Sequence, residues 1–181
     1  MYKIKNILEG IVPYGHNPYN SNAQGKGKIA EEEREEIAKQ NIYKNKEGCF
    51  IPARHFKACL LQGCGMAGLK YGKKGLYPYL NGAVFIDPLE IPLRKDTYDF
   101  IYKRMGRVPP KTGGLVPIYT ACFNAGWSVS FNWVVMDDRL SAKQIKEAIE
   151  QGGLLVGIGN NRPEYGRFII KEWEVNKDGN R

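Results

Sequence analysis

The chain is poor in the residues from which metal centres and hydrolytic sites are commonly built. It has two histidines, His16 and His55, far apart in sequence, and four cysteines, Cys49, Cys59, Cys64 and Cys122. No two cysteines form a CxxC pair, and structural zinc ligands usually cluster far more tightly, so no metal is expected. Walker loops and Ser-His-Asp patterns are absent as well, and no cofactor is expected. No apolar run approaches the roughly 20 residues needed to cross a bilayer. Met1-Tyr2-Lys3-Ile4-Lys5 opens no signal-peptide core. The expectation is a cytoplasmic protein with no membrane partner and reduced thiols, Cys59 and Cys64 serving as small buried hydrophobes.

Negative charge is also in short supply. Lys and Arg number 27 against 19 Asp and Glu, a net charge of +8 that favours polyanionic partners. With 181 residues and 43% hydrophobic content, the chain can bury a substantial core and reads as a single domain, 1–181. Two segments interrupt its pattern: an inserted loop and helix at about 14–47, and a basic excursion at about 94–114.

Residues 2–13 alternate loosely and read as a first strand, closed by Pro13 and Gly15. Residues 14–27 are dense in Asn, Gly, Pro and Tyr, a loop by composition. Ile29 to Gln40, with Glu31, Glu32, Glu33, Glu35 and Glu36, reads as a solvated helix. After Pro52, the residues Phe56, Cys59, Leu60, Gly63, Cys64 and Ala67 follow the spacing of one buried helical face over 53–68. Gly63, Gly65 and Gly68 lower helicity there and suggest close packing against a sheet.

Ala83 to Leu93 reads as one or two strands broken by Pro88 and Pro92, and Ile118 to Phe123 as another. Trp127, Val129, Phe131, Trp133 and Val135 alternate with polar residues, the strongest half-buried strand signal present. Ser141 and Gln144 form a capping-box pattern that opens a helix ended by Gly152-Gly153, and Phe168 to Val175 reads as a final strand. Strand, helix, two strands, helix, strand is the ferredoxin-like (RRM-like) βαββαβ order: an α+β fold with an antiparallel sheet, two helices on one face and long insertions. That layout serves binding modules and enzymes alike.

The segment Gly157-Ile158-Gly159-Asn160-Asn161-Arg162-Pro163-Glu164-Tyr165-Gly166-Arg167-Phe168 concentrates glycine, asparagine and arginine before this last strand. Glycine permits close backbone approach and arginine offers a planar fork to phosphate oxygens. The segment reads either as a cradle for a polyanion or as a surface turn with two solvated arginines. It is not a dinucleotide fingerprint, because Arg162 stands where the third glycine belongs and the loop opens a strand rather than a helix.

Two segments resemble one family at corresponding places. Ile51-Pro52-Ala53-Arg54-His55-Phe56-Lys57-Ala58-Cys59-Leu60 is similar to the pattern that begins the first helix of the RAMP superfamily, the backbone and guide-binding proteins of CRISPR effector complexes. The glycine-rich segment resembles the C-terminal glycine-rich loop of the same superfamily. The resemblance implies RNA held near the first helix and that loop, with Lys57 close to a phosphate and Gly157, Gly159 and Gly166 allowing close approach. Arg162 and Arg167 join them on charge alone. The wording Arg-Pro-x-Tyr-Gly-Arg-Phe also resembles uncharacterised proteins of phages and mobile elements.

Lys70, Tyr71, Lys73, Lys74, Tyr77 and Tyr79, and later Lys103, Arg104, Arg107 and Lys111, mix cations for a phosphate backbone with rings for unpaired bases. The leading expectation is a non-catalytic binder of single-stranded RNA or DNA, RNA preferred by resemblance, assembling with itself along the strand or with CRISPR effector subunits. Its candidate contacts are Arg54, Lys57, Lys73, Lys74, Arg104, Arg107, Gly157, Gly159, Arg162, Gly166 and Arg167. The alternative is a phage or mobile-element protein that mimics or blocks an effector subunit. An RNA-processing endonuclease using His16 or His55 as general base is the third reading.

Overall fold

The computed structural model describes residues 1–16, 18, 30–108 and 113–177. Strand β1 (Tyr2–Gly10) turns Tyr2, Ile4, Asn6, Leu8 and Gly10 inward, the period-two pattern of a half-covered sheet. A short β2 (Tyr14–Gly15) follows. Helix α1 (Glu31–Gln40) carries Glu31, Glu32 and Glu33 in its first turn and Lys39 in its last, as a helix dipole favours. Strands β3 (Lys44–Asn45) and β4 (Gly48–Pro52) lead into α2 (Ala53–Met66), which buries Phe56, Cys59, Leu60, Gly63 and Cys64. The pair β5 (Lys70–Tyr71) and β6 (Lys74–Gly75), then α3 (Tyr77–Ala83), connect α2 to β7 (Val84–Asp87). Strand β8 (Glu90–Pro92) pairs back with β4, and β9 (Phe100–Val108) pairs with β10 (Gly114–Phe123). Then come β11 (Ser128–Val135), α4 (Ala142–Leu155) and β12 (Phe168–Lys177).

The central sheet has the order β12-β1-β11-β7, and every neighbouring pair is antiparallel. Register places Ile4 opposite Trp133, Asn6 opposite Phe131 and Leu8 opposite Val129, so large apolar side chains of β1 and β11 share one face. Helices α2 and α4 cover that face. Phe56 of α2 lies 4.9 Å from the ring of Phe131 and 5.6 Å from that of Phe168. Asn6 is the polar exception in this layer, and its amide donates to the Phe131 carbonyl at 2.6 Å. A second sheet, β2-β10-β9, stands beside the first and takes its register from Cys122 opposite Gly15. Among the described residues no helix is long and apolar enough to cross a membrane.

Several expectations change in detail. The first strand stops at Gly10, because Trp127 packs where a Cβ there would stand and the chain turns toward β10. The basic segment at 94–114 contains a regular strand, β9, which puts Arg104 on the face of Phe100 and Tyr102 and Lys103 and Arg107 on the other. Gly152-Gly153 do not end α4, which runs on to Leu155. A Cβ at Gly152 would stand 2.5 Å from the Cys59 carbonyl oxygen, and one at Gly153 2.6 Å from that of Phe168. These glycines are packing surfaces inside the helix. Gly63 likewise meets the backbone of α4, not a sheet: a Cβ would overlap the Ala148 carbonyl and the Gly152 amide. The Ser141–Gln144 capping box forms as expected, and all four cysteines are buried and free.

Gly63 and Gly65 therefore separate two effects of glycine in one helix. Gly65 has nothing within 4 Å of a built Cβ. Gly63→Ala should destabilise by about 1–3 kcal/mol through overpacking, and Gly65→Ala should be neutral or stabilising by up to about 1 kcal/mol through helix propensity. Urea unfolding of both variants measures the difference; equal effects would show that α2 and α4 are not in backbone contact.

Candidate nucleic-acid interface

The loop between α4 and β12 begins as the helix leaves Leu155. Gly157, Gly159 and Gly166 all adopt positive φ, +71°, +74° and +75°. Their missing side chains make room for the protein itself. A Cβ at Gly157 would stand 2.8 Å from the Tyr165 carbonyl oxygen, one at Gly159 would overlap Tyr14 and Gly15, and one at Gly166 would overlap Ile158. The close approach expected of nucleic acid is thus made by backbone of the same chain. The Ile158 amide donates to Gly166 at 2.9 Å, Asn160 to Gly15 at 2.9 Å, and Gly166 to Pro13 at 2.7 Å. These bonds fasten the loop to β2, and through β2 to the second sheet.

That attachment brings β9 over the loop. Phe100, Tyr102 and Arg104 share one face of β9, with Lys103, Met105 and Arg107 on the other. The first face looks toward the loop: the ring of Tyr102 lies 5.0 Å from that of Tyr165, and the Asn160 amide donates to the Thr120 hydroxyl at 3.0 Å. A groove of about 740 Å³ results, lined by Gln62 and Met66 of α2, Tyr102 and Arg104 of β9, Leu155 of α4, and loop residues that include Asn161, Arg162 and Tyr165. Two donors at the groove, Arg104 Nε and Asn161 Nδ2, are buried without a partner among the described residues. Arg162 is exposed at its rim.

At the start of α2 a second cluster forms from residues distant in sequence. His16 accepts the Tyr43 amide through Nδ1 at 3.0 Å, and the Tyr14 hydroxyl lies 3.3 Å from His55 Nδ1. The rings of His16 and Tyr43 are 5.1 Å apart and those of Tyr43 and His55 5.5 Å. Arg54 donates to the Tyr43 hydroxyl at 3.1 Å and lies over its ring. Burial holds the His55 imidazole down to about 4, helped by the charges of Arg54 and Arg162. Burial, then His55, holds His16 down to about 3. The two histidines are far apart in sequence but neighbours in space, and both are neutral. The first turn of α2 holds no acidic residue and no side-chain cap, so its positive dipole end adds to Arg54 and Arg162.

Arg104, Gly159 and Arg162 line the groove, Gly157 and Gly166 belong to the same loop, Arg54 shares the surroundings of His55 with Arg162, and the remaining candidates lie elsewhere. Lys57 caps α3: its ammonium donates to the carbonyls of Leu80 at 2.6 Å, Asn81 at 3.1 Å and Val84, and burial lowers its pKa to about 8. The resemblance implied a phosphate contact for this lysine; in the structure its ammonium is held by these three carbonyls. Lys73 sits in the turn of the β5–β6 pair and Lys74 on β6; both are exposed and neither lines the groove. Arg107 is on the far face of β9 and donates to Gly113 at 3.1 Å. Arg167 does not line the groove, and its Nε is buried without a partner among the described residues. Lys111 lies outside the described residues. On the far face of β9, Glu31 of the acidic helix accepts from Lys103 and from the Tyr119 hydroxyl, and these bonds hold its carboxyl below the usual range.

Sequence reading missed Tyr102, Tyr165, Met66, Gln62, Leu155 and Asn161 as members of one groove. A period-two signal at Phe100, Tyr102 and Arg104 was available in the sequence. Nothing in the sequence pairs it with the loop.

No protein-family model and no curated protein matches the sequence. In three dimensions the chain is similar to a chain in a cryo-EM structure of the Type III-B Cmr-beta bound to cognate target RNA. The TM-score is 0.65 at 14% sequence identity, covering 97% of this chain and 61% of that chain. The likeness is one of fold, to a chain longer than the present one.

The histidine pair predicts a pH dependence. Both imidazoles titrate near 6.5 in the unfolded chain and near 3 to 4 in the folded one. The unfolded chain therefore binds protons first, so this contribution is complete above about pH 6.5 and is lost as pH falls toward 4. A double variant His16→Asn, His55→Gln should show a shallower fall of thermal midpoint across that window than the parent. Parallel curves would mean that the imidazoles are solvated and not enclosed.

Proposed function

We propose that this chain is a non-catalytic single-stranded RNA-binding protein of the RAMP type, acting as a subunit of an RNA-guided effector assembly. The sheet order β12-β1-β11-β7, with α2 and α4 on one face, supports a ferredoxin-like core, and the likeness in fold to a chain of the Cmr-beta structure supports the same reading. The observation that carries the reading is a row of cations along α2: Arg54 and Arg162 both act on His55 in its first turn, and Arg162 and Arg104 line the groove that reaches Gln62 and Met66 near its end. These three come from a helix start, an edge strand and a loop, and each has charge to offer to a phosphate backbone. The acidic helix α1 packs against β10 and β9, where its Glu31 binds Lys103 and Tyr119. The non-catalytic part rests on the burial of His16 and half-burial of His55 among tyrosines, which lowers the basicity of both imidazoles.

Titration of labelled single-stranded RNA and DNA at two salt concentrations tests the reading. Affinity should fall steeply with salt, and the RNA should be recovered uncut. An Arg54→Ala, Arg104→Ala, Arg162→Ala variant should bind all sequences more weakly and lose about one unit of salt slope for each phosphate contact removed. A parent protein that binds neither strand at low salt would overturn the assignment.

A further inference from the structure

We propose that the groove between β9, the α4–β12 loop and α2 holds one unstacked base of the bound strand, with a preference for keto over amino bases. This rests on the single-stranded RNA reading above and adds a base contact to a surface otherwise argued from phosphate charge. Three features point to it. The rings of Tyr102 and Tyr165, 5.0 Å apart and inclined at 46°, form a bent aromatic platform at the groove, and both are half-buried. Met66 and Leu155 line the same groove while 59% and 52% exposed. The buried donors Arg104 Nε and Asn161 Nδ2 have no acceptor among the described residues. A buried donor without an acceptor is costly and rare.

A ligand that satisfies all three has a flat face, apolar contact area and hydrogen-bond acceptors but need offer no donor. A nucleobase on a sugar-phosphate has these properties, and a groove of about 740 Å³ lies within the range of small-ligand sites. Stacking on a tyrosine pair is indifferent to base identity, because every base has a π-face. Selection falls to the donors. Guanine and uracil present carbonyl oxygens where adenine and cytosine present amino groups, and an amino group facing Arg104 or Asn161 would set donor against donor. The groove is therefore sequence-selective at one position, while Arg54 and Arg162 at the neighbouring helix start serve any strand.

The full chain is titrated with oligouridine and with a strand of equal length whose bases are replaced by abasic sites, which keeps the phosphates. The base-bearing strand should bind at least about 5-fold more tightly. Tyr102→Leu, Tyr165→Leu should remove that advantage without changing the salt slope or the affinity for the abasic strand, and Tyr102→Phe, Tyr165→Phe should retain it. In a second arm, chemical shifts of the tyrosine rings are followed with each nucleoside monophosphate, and GMP and UMP should bind more tightly than AMP and CMP. Equal binding of the two strands would overturn the base contact and leave the RNA reading standing. No binding of either strand would defeat the RNA reading itself, and four unresponsive monophosphates would then defeat the groove as a base site also, marking Met66 and Leu155 as a protein-contact surface. The strand comparison uses the parent protein, so it decides the matter even if the leucine variant fails to fold.

Discussion

The contact between the backbones of α2 and α4 holds the molecule's working end in place. Gly63 on α2 and Gly152 on α4 let the helices approach until side-chain atoms at these positions would overlap backbone. At the next residue of α4, Gly153 lies against Phe168, the first residue of the last strand. The helix pair, the end of α4 and the start of β12 are therefore fixed relative to one another by contacts with no slack. Close-packed interiors transmit displacement rather than absorb it. The loop that leaves α4 at Leu155 and returns at Phe168 inherits its position from that contact.

From this anchor the loop reaches outward by backbone hydrogen bonds to Pro13 and Gly15, and β2 in turn pairs with β10. The result places β9, a strand far from the central sheet, above the end of α2. Alternation along β9 then sorts its cations. Lys103 is committed to Glu31 on one face, and Arg104 is directed to the groove on the other. A basic segment in the sequence becomes two environments, one neutralised and one left cationic, through the period of a β-strand alone. The fixed sheet register therefore decides which of two adjacent positive charges is available to a polyanion.

The elements that were legible in the sequence were those with strong local periodicity. The alternation from Trp127 to Val135 reports a half-buried strand, and the spacing of Phe56, Cys59, Leu60, Gly63 and Cys64 reports a helix with one buried face; both follow from geometry within a few residues. The capping box at Ser141 was legible for the same reason. The end of α4 was not, because double glycine is a local stop signal and only contact with Cys59 and Phe168 overrides it. The environment of Lys57 was not legible on similar grounds. Its position on α2 is visible in sequence, whereas the carbonyls that occupy its ammonium belong to α3 and β7.

Composition and pattern by themselves determined the basic character of the chain, the burial of Cys59 and Cys64, the two main helices and the central strands. Those properties depend on residue type and on spacings of two to four. Tertiary structure alone decided which arginines share a surface, why the loop glycines are needed, and that His16 and His55 are neighbours enclosed by Tyr14 and Tyr43. Each of these joins residues tens of positions apart. Such pairings follow from helix contact and strand register, which a local pattern does not encode.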